Sequence, residues 1–264
     1  MCIRDRLGIA TAKPSEEQLK SVKHFFINSH SIHKPVTAAD FESYVLKTLN
    51  QVFLERKVCL LTGGSGLYVK AAVEGLDEIP EISLEIRSEL EDRLHKNGIE
   101  SLVEELRRLD PEILETLDTN NPRRVIRALA VCHETGKPIS AFRTGSKSPR
   151  PFDILMIGLH RERSQLYQRI EQRMDHMIEQ GLFEEAAELF EHRHLAPLQT
   201  VGYQEVFGYL EGKYHRDEAI RLLKRNSRRY AKRQLTWFNK NPSIKWLDAE
   251  NYQAVLEYTK KNLV

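Results

Sequence analysis

Cysteine is scarce: 264 residues hold three, Cys2, Cys59 and Cys132, with no pair at redox or metal spacing. That excludes a disulfide-stapled scaffold. Cys59 and Cys132 sit in apolar runs and read as inert core thiols of a reducing cytoplasm. No apolar run approaches membrane-spanning length, and no secretory apolar stretch follows Met1. Neither sign of charge dominates, since 40 Lys and Arg stand against 38 Asp and Glu for a net +2, so only the distribution of charge can point to a partner. Internal repeats and low-complexity tracts are missing. Metal-ligand spacing is missing too: His30/His33 and His192/His194 have no carboxylate or thiol at ligand distance in sequence, so no residue is assigned to a metal. No Ser-His-Asp arrangement can be argued, and no glycine cluster ends in Gly-Lys-Ser/Thr, the P-loop signature.

What is present is a 41% apolar chain with 30% charged residues, enough for a real core wrapped in solvated helices. The stretch 57–75 organises it. Val58-Cys59-Leu60-Leu61 is a short apolar run, as expected of a strand buried on both faces. Gly63, Gly64 and Gly66 then surround Ser65, and Leu67, Ala71 and Ala72 recur at helical spacing before Gly75. Strand, glycine turn and helix start would bring backbone N–H groups and one hydroxyl to the carboxyl edge of a parallel sheet, where α/β folds bind ligands. The plainer alternative is a turn whose glycines serve geometry alone.

Around it, 1–6 match no strand, cap or loop and are set aside from fold reasoning as a cloning or gene-calling scar. The region 7–15 reads as loop, 16–20 as a short helix and 24–27 as a strand. Thr37 and Asp40 form a capping box for a helix over 38–56, which leads straight into the Val58 run and completes a parallel crossover unit. Three charged helical segments, 81–94, 99–109 and 111–117, make a helical insert. Asn121 and Pro122 open the next helix, which Gly136 ends. After a linker at 147–151 and a buried strand at 154–159, helices are expected over 165–180, 183–191, 202–211 and 216–239, then an edge strand at 244–247. The expected division is 7–79 as the first part of an α/β core, 80–120 as insert, and 121–264 as the rest of the core with a basic helical region.

The strongest charge signal is 221–233, with seven basic residues (Arg221, Lys224, Arg225, Arg228, Arg229, Lys232 and Arg233) and no acid. At helical pitch they cover about half the circumference, opposite Ile220, Leu223, Tyr230, Trp237 and Phe238. Stacked like charges cost stability, so a polyanion such as nucleic acid accounts for them; the alternative is a solvated face. Arg123, Arg124 and Arg127 at a helix start suggest a phosphate site, or else ion pairs to Glu115 or Asp118. Arg161, Arg163, Arg169 and Arg173 follow a strand end and could clamp a diphosphate, unless Glu162 and Glu171 neutralise them. Gln199, Thr200, Val201, Gly202, Tyr203 and Gln204 form a polar turn with an aromatic between amides, suited to an unstacked base but equally to a plain helix start.

In this order, Gly8-Ile9-Ala10-Thr11-Ala12-Lys13-Pro14, Leu61-Thr62-Gly63-Gly64-Ser65-Gly66-Leu67-Tyr68, Asn121-Pro122-Arg123-Arg124-Val125-Ile126-Arg127, Thr135-Gly136-Lys137, Val201-Gly202-Tyr203-Gln204-Glu205 and Arg229-Tyr230-Ala231-Lys232-Arg233-Gln234-Leu235-Thr236-Trp237-Phe238 resemble the tRNA dimethylallyltransferase (tRNA isopentenyltransferase) family. The chain ends at Val264 without a cysteine-histidine finger, which points to the bacterial type. The resemblance implies a P-loop-NTPase-like parallel-sheet core with a helical insert and a mostly helical carboxyl-terminal part. It implies transfer of a dimethylallyl group from dimethylallyl diphosphate to N6 of the adenine 3′-adjacent to the anticodon, with Mg²⁺, in a cytoplasmic monomer that binds the tRNA anticodon stem-loop. Ser65 stands where the family usually has threonine and is the implied catalytic hydroxyl. Arg87, Arg123, Arg124, Arg127 and 199–204 fall on tRNA-touching segments, with Arg225, Arg228, Arg229 and Lys232 on the basic helix; Arg161, Arg163 and Arg169 would hold diphosphate.

The family also opens with a strand, a P-loop and an Asp-Ser-x-Gln segment carrying the proposed base, and 1–6 stand where that segment should end. Without that central strand two neighbours would have unpaired edges. The expectation is therefore an amino-terminally truncated, inactive chain. The alternatives are a non-catalytic RNA-binding derivative of the fold and an adenylate isopentenyltransferase acting on free nucleotides. One expectation is structural: the serine-bearing glycine bend and the cationic helix serve the same RNA loop.

Overall fold

The computed structural model describes 5–145 and 148–263; Met1–Arg4, Cys2 among them, and Ser146, Lys147 and Val264 of the expected scar, linker and carboxyl end lie outside the described residues. The chain divides into two compact units, one from the segments up to Val73 and from Pro151 onward, the other Glu74–Arg150. It is a mixed α/β protein, mostly helical, with a single small sheet among the described residues.

In the first unit, α1 (Glu16–Ser21) and α2 (Ala38–Val52) both begin with capping boxes, Ser15 with Gln18 and Thr37 with Asp40. Two hydrogen bonds from Thr37, backbone N–H and hydroxyl, hold the Asp40 carboxyl below the ordinary range. The core is built by helices. α6 (Arg163–Glu179), α7 (Leu182–Glu188), α8 (Tyr203–Leu210) and α9 (Arg216–Phe238) bury Met174, Met177, Leu182, Phe183, Val206, Phe207, Ala219 and Leu223 together with Leu7 and Ile32. β1 (Ile157–His160) and β2 (Lys245–Asp248) pair in parallel, Ile157 opposite Lys245 and His160 opposite Asp248. The four helices α6–α9 form the crossover such a pair requires. α10 (Tyr252–Asn262) follows β2.

Three strand expectations are corrected. The Val58–Leu61 run has no ladder partner among the described residues and is exposed, Leu60 at 85%. The region 24–27 bends at Phe26, whose φ is 63°, instead of extending. The run at 154–159 pairs only from Ile157, and Leu159 stays exposed. Apolar β-branched character makes a strand possible; a neighbouring backbone makes it one. The edge strand expected at 244–247 is β2, shifted by one residue.

α3 (Gly66–Glu74) runs to the boundary between the units. In the second unit, α4 (Leu84–Leu109) is interrupted at Gly98, whose φ of 75° and ψ of 175° leave the helical region. Arg93 hydrogen-bonds Glu105, twelve residues on. A straight helix would separate them by about 18 Å, so the chain doubles back at Gly98, which needs no Cβ there. Leu90, Leu102 and Leu106 from both halves enter one core with Val125, Ala128, Leu129 and Cys132 of α5 (Pro122–Thr135). Pro122 takes the first helical turn and Gly136, φ 68°, closes the helix, while Asn121, expected as cap, makes no capping bond. His133 adds a second hydrogen bond to Glu105 at 2.7 Å. Burial disfavours the Glu105 charge, yet the bonds from Arg93 and His133 outweigh it and hold the carboxyl below its ordinary value.

Candidate functional site: a glycine turn seated on a cationic helix

Ser65 caps α3. Its carbonyl accepts the Val69 N–H at 3.0 Å, while its hydroxyl makes no hydrogen bond among the described residues. The turn rests on α9: Gln234 Nε2 donates to the Gly64 carbonyl at 3.0 Å. A Cβ on Gly64 would fall 2.1 Å from Gln234 Nε2, and one on Gly66 would fall 2.3 Å from Trp237 Cδ1 and Nε1. Gln234 and Trp237, three apart, share a helical face. The close approach of α9 therefore explains two of the three glycines, and the glycine bend and the basic helix adjoin as the sequence led one to expect.

α9 is less uniformly cationic than its sequence. Arg221 pairs with Glu218, Lys224 with Asp175 at 2.6 Å, and Arg228 with Glu171. Arg228 thus serves the α6–α9 junction, which corrects the expectation of a uniformly cationic face. Arg225 donates to Asn226 Oδ1 at 3.3 Å. Arg229, Lys232 and Arg233 make no ion pair among the described residues, and with Thr236, Trp237 and Lys240 they line an open cavity of about 380 Å³. Arg233 lies over the Tyr230 ring at 5.7 Å, and Tyr230 and Trp237 are each 44% exposed.

The remaining expected residues of this unit are largely engaged. Arg161 is bound by Glu250 at 2.7 Å, and Arg163 by the Tyr167 hydroxyl at 3.2 Å. Glu162 instead caps α6, accepting from Ser164 and Gln165 N–H. Arg169 has no hydrogen bond or ion pair among the described residues. Gln204 Nε2 donates to Gln199 Oε1 at 2.9 Å and Gln199 Nε2 to the Arg193 carbonyl, so the two amides hold the turn itself. Thr200 Oγ1 is buried without a hydrogen-bond partner among the described residues, and Val201 packs against the core. Gly202, at φ 110°, needs to be glycine, and its N–H donates to Glu205 Oε2 at 2.8 Å. Glu205 is nearly fully buried, and its other oxygen accepts from Asn226 of α9 at 2.7 Å.

Tyr203 is the second correction. It is fully buried and donates its hydroxyl to Glu185 Oε1 at 2.7 Å, so its ring is core and offers no face to a base. Burial, then the hydrogen bond and charge of Glu185, push the phenol far above its ordinary value. Glu185 also accepts from the N–H groups of Gly8, Ile9 and Ala10. Single-sequence reading missed this knot, because Glu185 sits 177 residues from Gly8 with only an ordinary helical pattern around it. Tyr203→Phe leaves Glu185 short of its hydroxyl donor and is expected to cost roughly 1–3 kcal/mol, read in a denaturant melt.

In the second unit, Arg123 and Arg124 are exposed and make no ion pair among the described residues, to Glu115, Asp118 or otherwise. Arg127 is partly desolvated, which lowers its pKa, and the nearby Arg87 and Arg143 lower it further. Arg87 also pairs with Glu91 at 3.0 Å on the surface.

A glycine turn that opens a helix against Gln234 and Trp237, on a helix whose Arg229, Lys232 and Arg233 line an open cavity, in a chain with a short parallel sheet, defines an α/β protein with a cation-rich surface site. The chain matches the model of the IPP transferase family over residues 4–241 and belongs to that family. It is 48% identical over 240 residues to the tRNA dimethylallyltransferase of Cytophaga hutchinsonii, covering 91% of this chain and 79% of that one. With tRNA dimethylallyltransferase 1 of Bacteroides fragilis it shares 44% over 257 residues, 97% of this chain and 85% of the relative. Among solved structures, the full-length tRNA isopentenylpyrophosphate transferase of Bacillus halodurans superposes with a TM-score of 0.69 at 33% identity, over 99% of this chain and 85% of that one. A eukaryotic dimethylallyltransferase acting on tRNA superposes with a TM-score of 0.80 over 99% of this chain and 70% of that one; at 22% identity it shows the fold. These matches lend no support to the expectation of an inactive fragment.

Proposed function

We propose that this protein transfers a dimethylallyl group from dimethylallyl diphosphate to N6 of the adenine 3′-adjacent to the anticodon of tRNA. The observation that carries it is the seating of the Ser65 turn on α9, next to Arg229, Lys232 and Arg233. In the reaction the adenine leaves its stack, its N6 bonds to C1 of the allyl group, the C1–O bond breaks with its electron pair leaving on diphosphate, and N6 passes a proton to water or to that diphosphate. Negative charge grows on the departing oxygen, where fixed cations and N–H donors are most effective. Ser65 offers its hydroxyl to the adenine or the reacting groups, and the exposed cations of α9 take phosphate of the RNA or of the leaving group. Arg123, Arg124 and Arg127 are proposed to contact the anticodon stem-loop through the second unit.

Its fold is a P-loop-type core, a reading supported by the parallel β1–β2 pair and by the family, and the protein acts as a cytoplasmic monomer. Magnesium belongs to the expected chemistry, yet the described residues include no group of three or more His, Cys, Asp or Glu able to hold a metal ion. A magnesium ion that arrives on a substrate diphosphate would need no such group, since it is ordinarily bound by phosphate oxygens, water and one or two carboxylates.

The test is transfer of labelled dimethylallyl diphosphate to an anticodon stem-loop RNA with adenine or guanine at the acceptor position. Label on the adenine RNA alone is the expected result, with Ser65→Ala slowed about 10²-fold, the scale of a lost transition-state donor. RNA binding without transfer would favour a non-catalytic RNA-binding protein, and label on free adenine nucleotide would favour the small-substrate transferase.

A further inference from the structure

We infer that Gln234 is a positioning residue for the Ser65 turn, an assignment that rests on the proposed function. A peptide unit is planar and trans, so a carbonyl and the N–H that follows it point in opposite directions. The Gly64 carbonyl accepts Gln234 Nε2–H, and this fixes that carbonyl toward α9. The Ser65 N–H of the same unit then faces away from α9, and neither it nor the Ser65 hydroxyl is used by the protein among the described residues. Both donors are left for a substrate atom on that side. Rotating the unit by half a turn would aim a carbonyl there instead, an acceptor where the proposed reaction needs donors.

The turn has little of its own to hold this orientation. Ser65 is exposed, Gly63 and Gly64 have no side chains to pack, and Val58–Leu61 before them is solvent-facing coil. Glycines leave the peptide free to rotate. The Gln234 amide supplies the missing restraint, and Trp237 seated against Gly66 blocks the turn from lifting sideways. The restraint comes from a long helix that is anchored elsewhere, through Asn226 to Glu205 and Lys224 to Asp175. Gln234 needs no contact with substrate to do this.

The experiment compares the full chain with Gln234→Ala, Gln234→Glu, Ser65→Ala and the Ser65→Ala/Gln234→Ala pair. Two readouts are taken: steady-state transfer to the stem-loop RNA, and amide hydrogen exchange at Val69, whose N–H the Ser65 carbonyl of the turn accepts. Gln234→Ala is expected to lower kcat about tenfold with the RNA KM within about twofold, the pattern of an interaction felt in the transition state. Gln234→Glu sets an acceptor against the Gly64 carbonyl and is expected to lower kcat further. The double variant is expected to be slower than Ser65→Ala by clearly less than the tenfold of Gln234→Ala alone, because part of what Gln234 aims is the hydroxyl that Ser65→Ala has already removed. Exchange at Val69 is expected to quicken about tenfold in both Gln234 variants, with the rest of α9 unaltered. Multiplying losses in the double variant, a KM effect with kcat unchanged, or unaltered exchange would each overturn the inference. If the unmodified chain transfers nothing, the proposed function falls by itself, and exchange at Val69 still decides whether Gln234 holds the turn.

Discussion

Replacing Arg229, Lys232 and Arg233 together by alanine is expected to flatten the salt dependence of stem-loop binding by about 0.7–0.9 logarithmic units for each phosphate no longer neutralised, roughly two units in all for single- to double-stranded RNA. At low salt the same change weakens binding by about 10²-fold or more, since every phosphate that a cation neutralises releases a condensed counterion. The matched control is the triple alanine variant of Arg221, Lys224 and Arg228. Those cations are already met by Glu218, Asp175 and Glu171, so removing them is expected to leave the slope nearly unchanged. Its cost falls on stability instead, at about 0.2–1 kcal/mol for each of the partly exposed Lys224–Asp175 and Arg228–Glu171 pairs. Fluorescence anisotropy of labelled stem-loop across a salt series reads both. Equal slopes for the two variants would remove the α9 cavity from the RNA interface.

That contrast also shows which features were legible in the chain alone. Local signals were: Thr37 and Asp40 announced α2, Pro122 and Gly136 bracketed α5, and the apolar stripe of 216–239 gave α9 almost to the residue. Each of these depends on neighbours within a turn or two. The basic face was legible as composition but not as free charge, because what neutralises Arg228 is Glu171, 57 residues away. Tyr203 misled for a related reason. An aromatic between two glutamines fits a base-reading loop or a helix start equally well, and only the position of Glu185 and the surrounding core decides. The strand readings at 24–27 and 58–61 rested on side-chain type, whereas a strand is made by a partner backbone that side-chain type does not specify. The glycines around Ser65 were legible as a turn, but the cause of two of them lies 170 residues on, in Gln234 and its helical neighbour Trp237.

Gly66→Ala is expected to lower transfer by about 10²-fold, the scale on which a misplacement of about 1 Å costs an enzyme its rate. The added methyl would stand 2.3 Å from the Trp237 indole, a rigid ring with no flexible end to swing aside. Either α9 backs away or the turn does, and both take the Gly64 carbonyl out of reach of Gln234. Helix propensity argues the other way, since alanine in the first turn of α3 is worth up to about 1 kcal/mol over glycine. The sign of the stability change therefore separates the two effects: a clash lowers the melting temperature, and a free site raises it. Trp237→Ala relieves the clash, so the Gly66→Ala/Trp237→Ala pair is expected to transfer at close to the rate of Trp237→Ala alone, well above Gly66→Ala. Recovery of that kind is a coupling that independent sites do not show. A Gly66→Ala chain that melts higher and transfers at full rate would mean that the turn does not bear on α9 in solution, and the site built on that seating would fall with it.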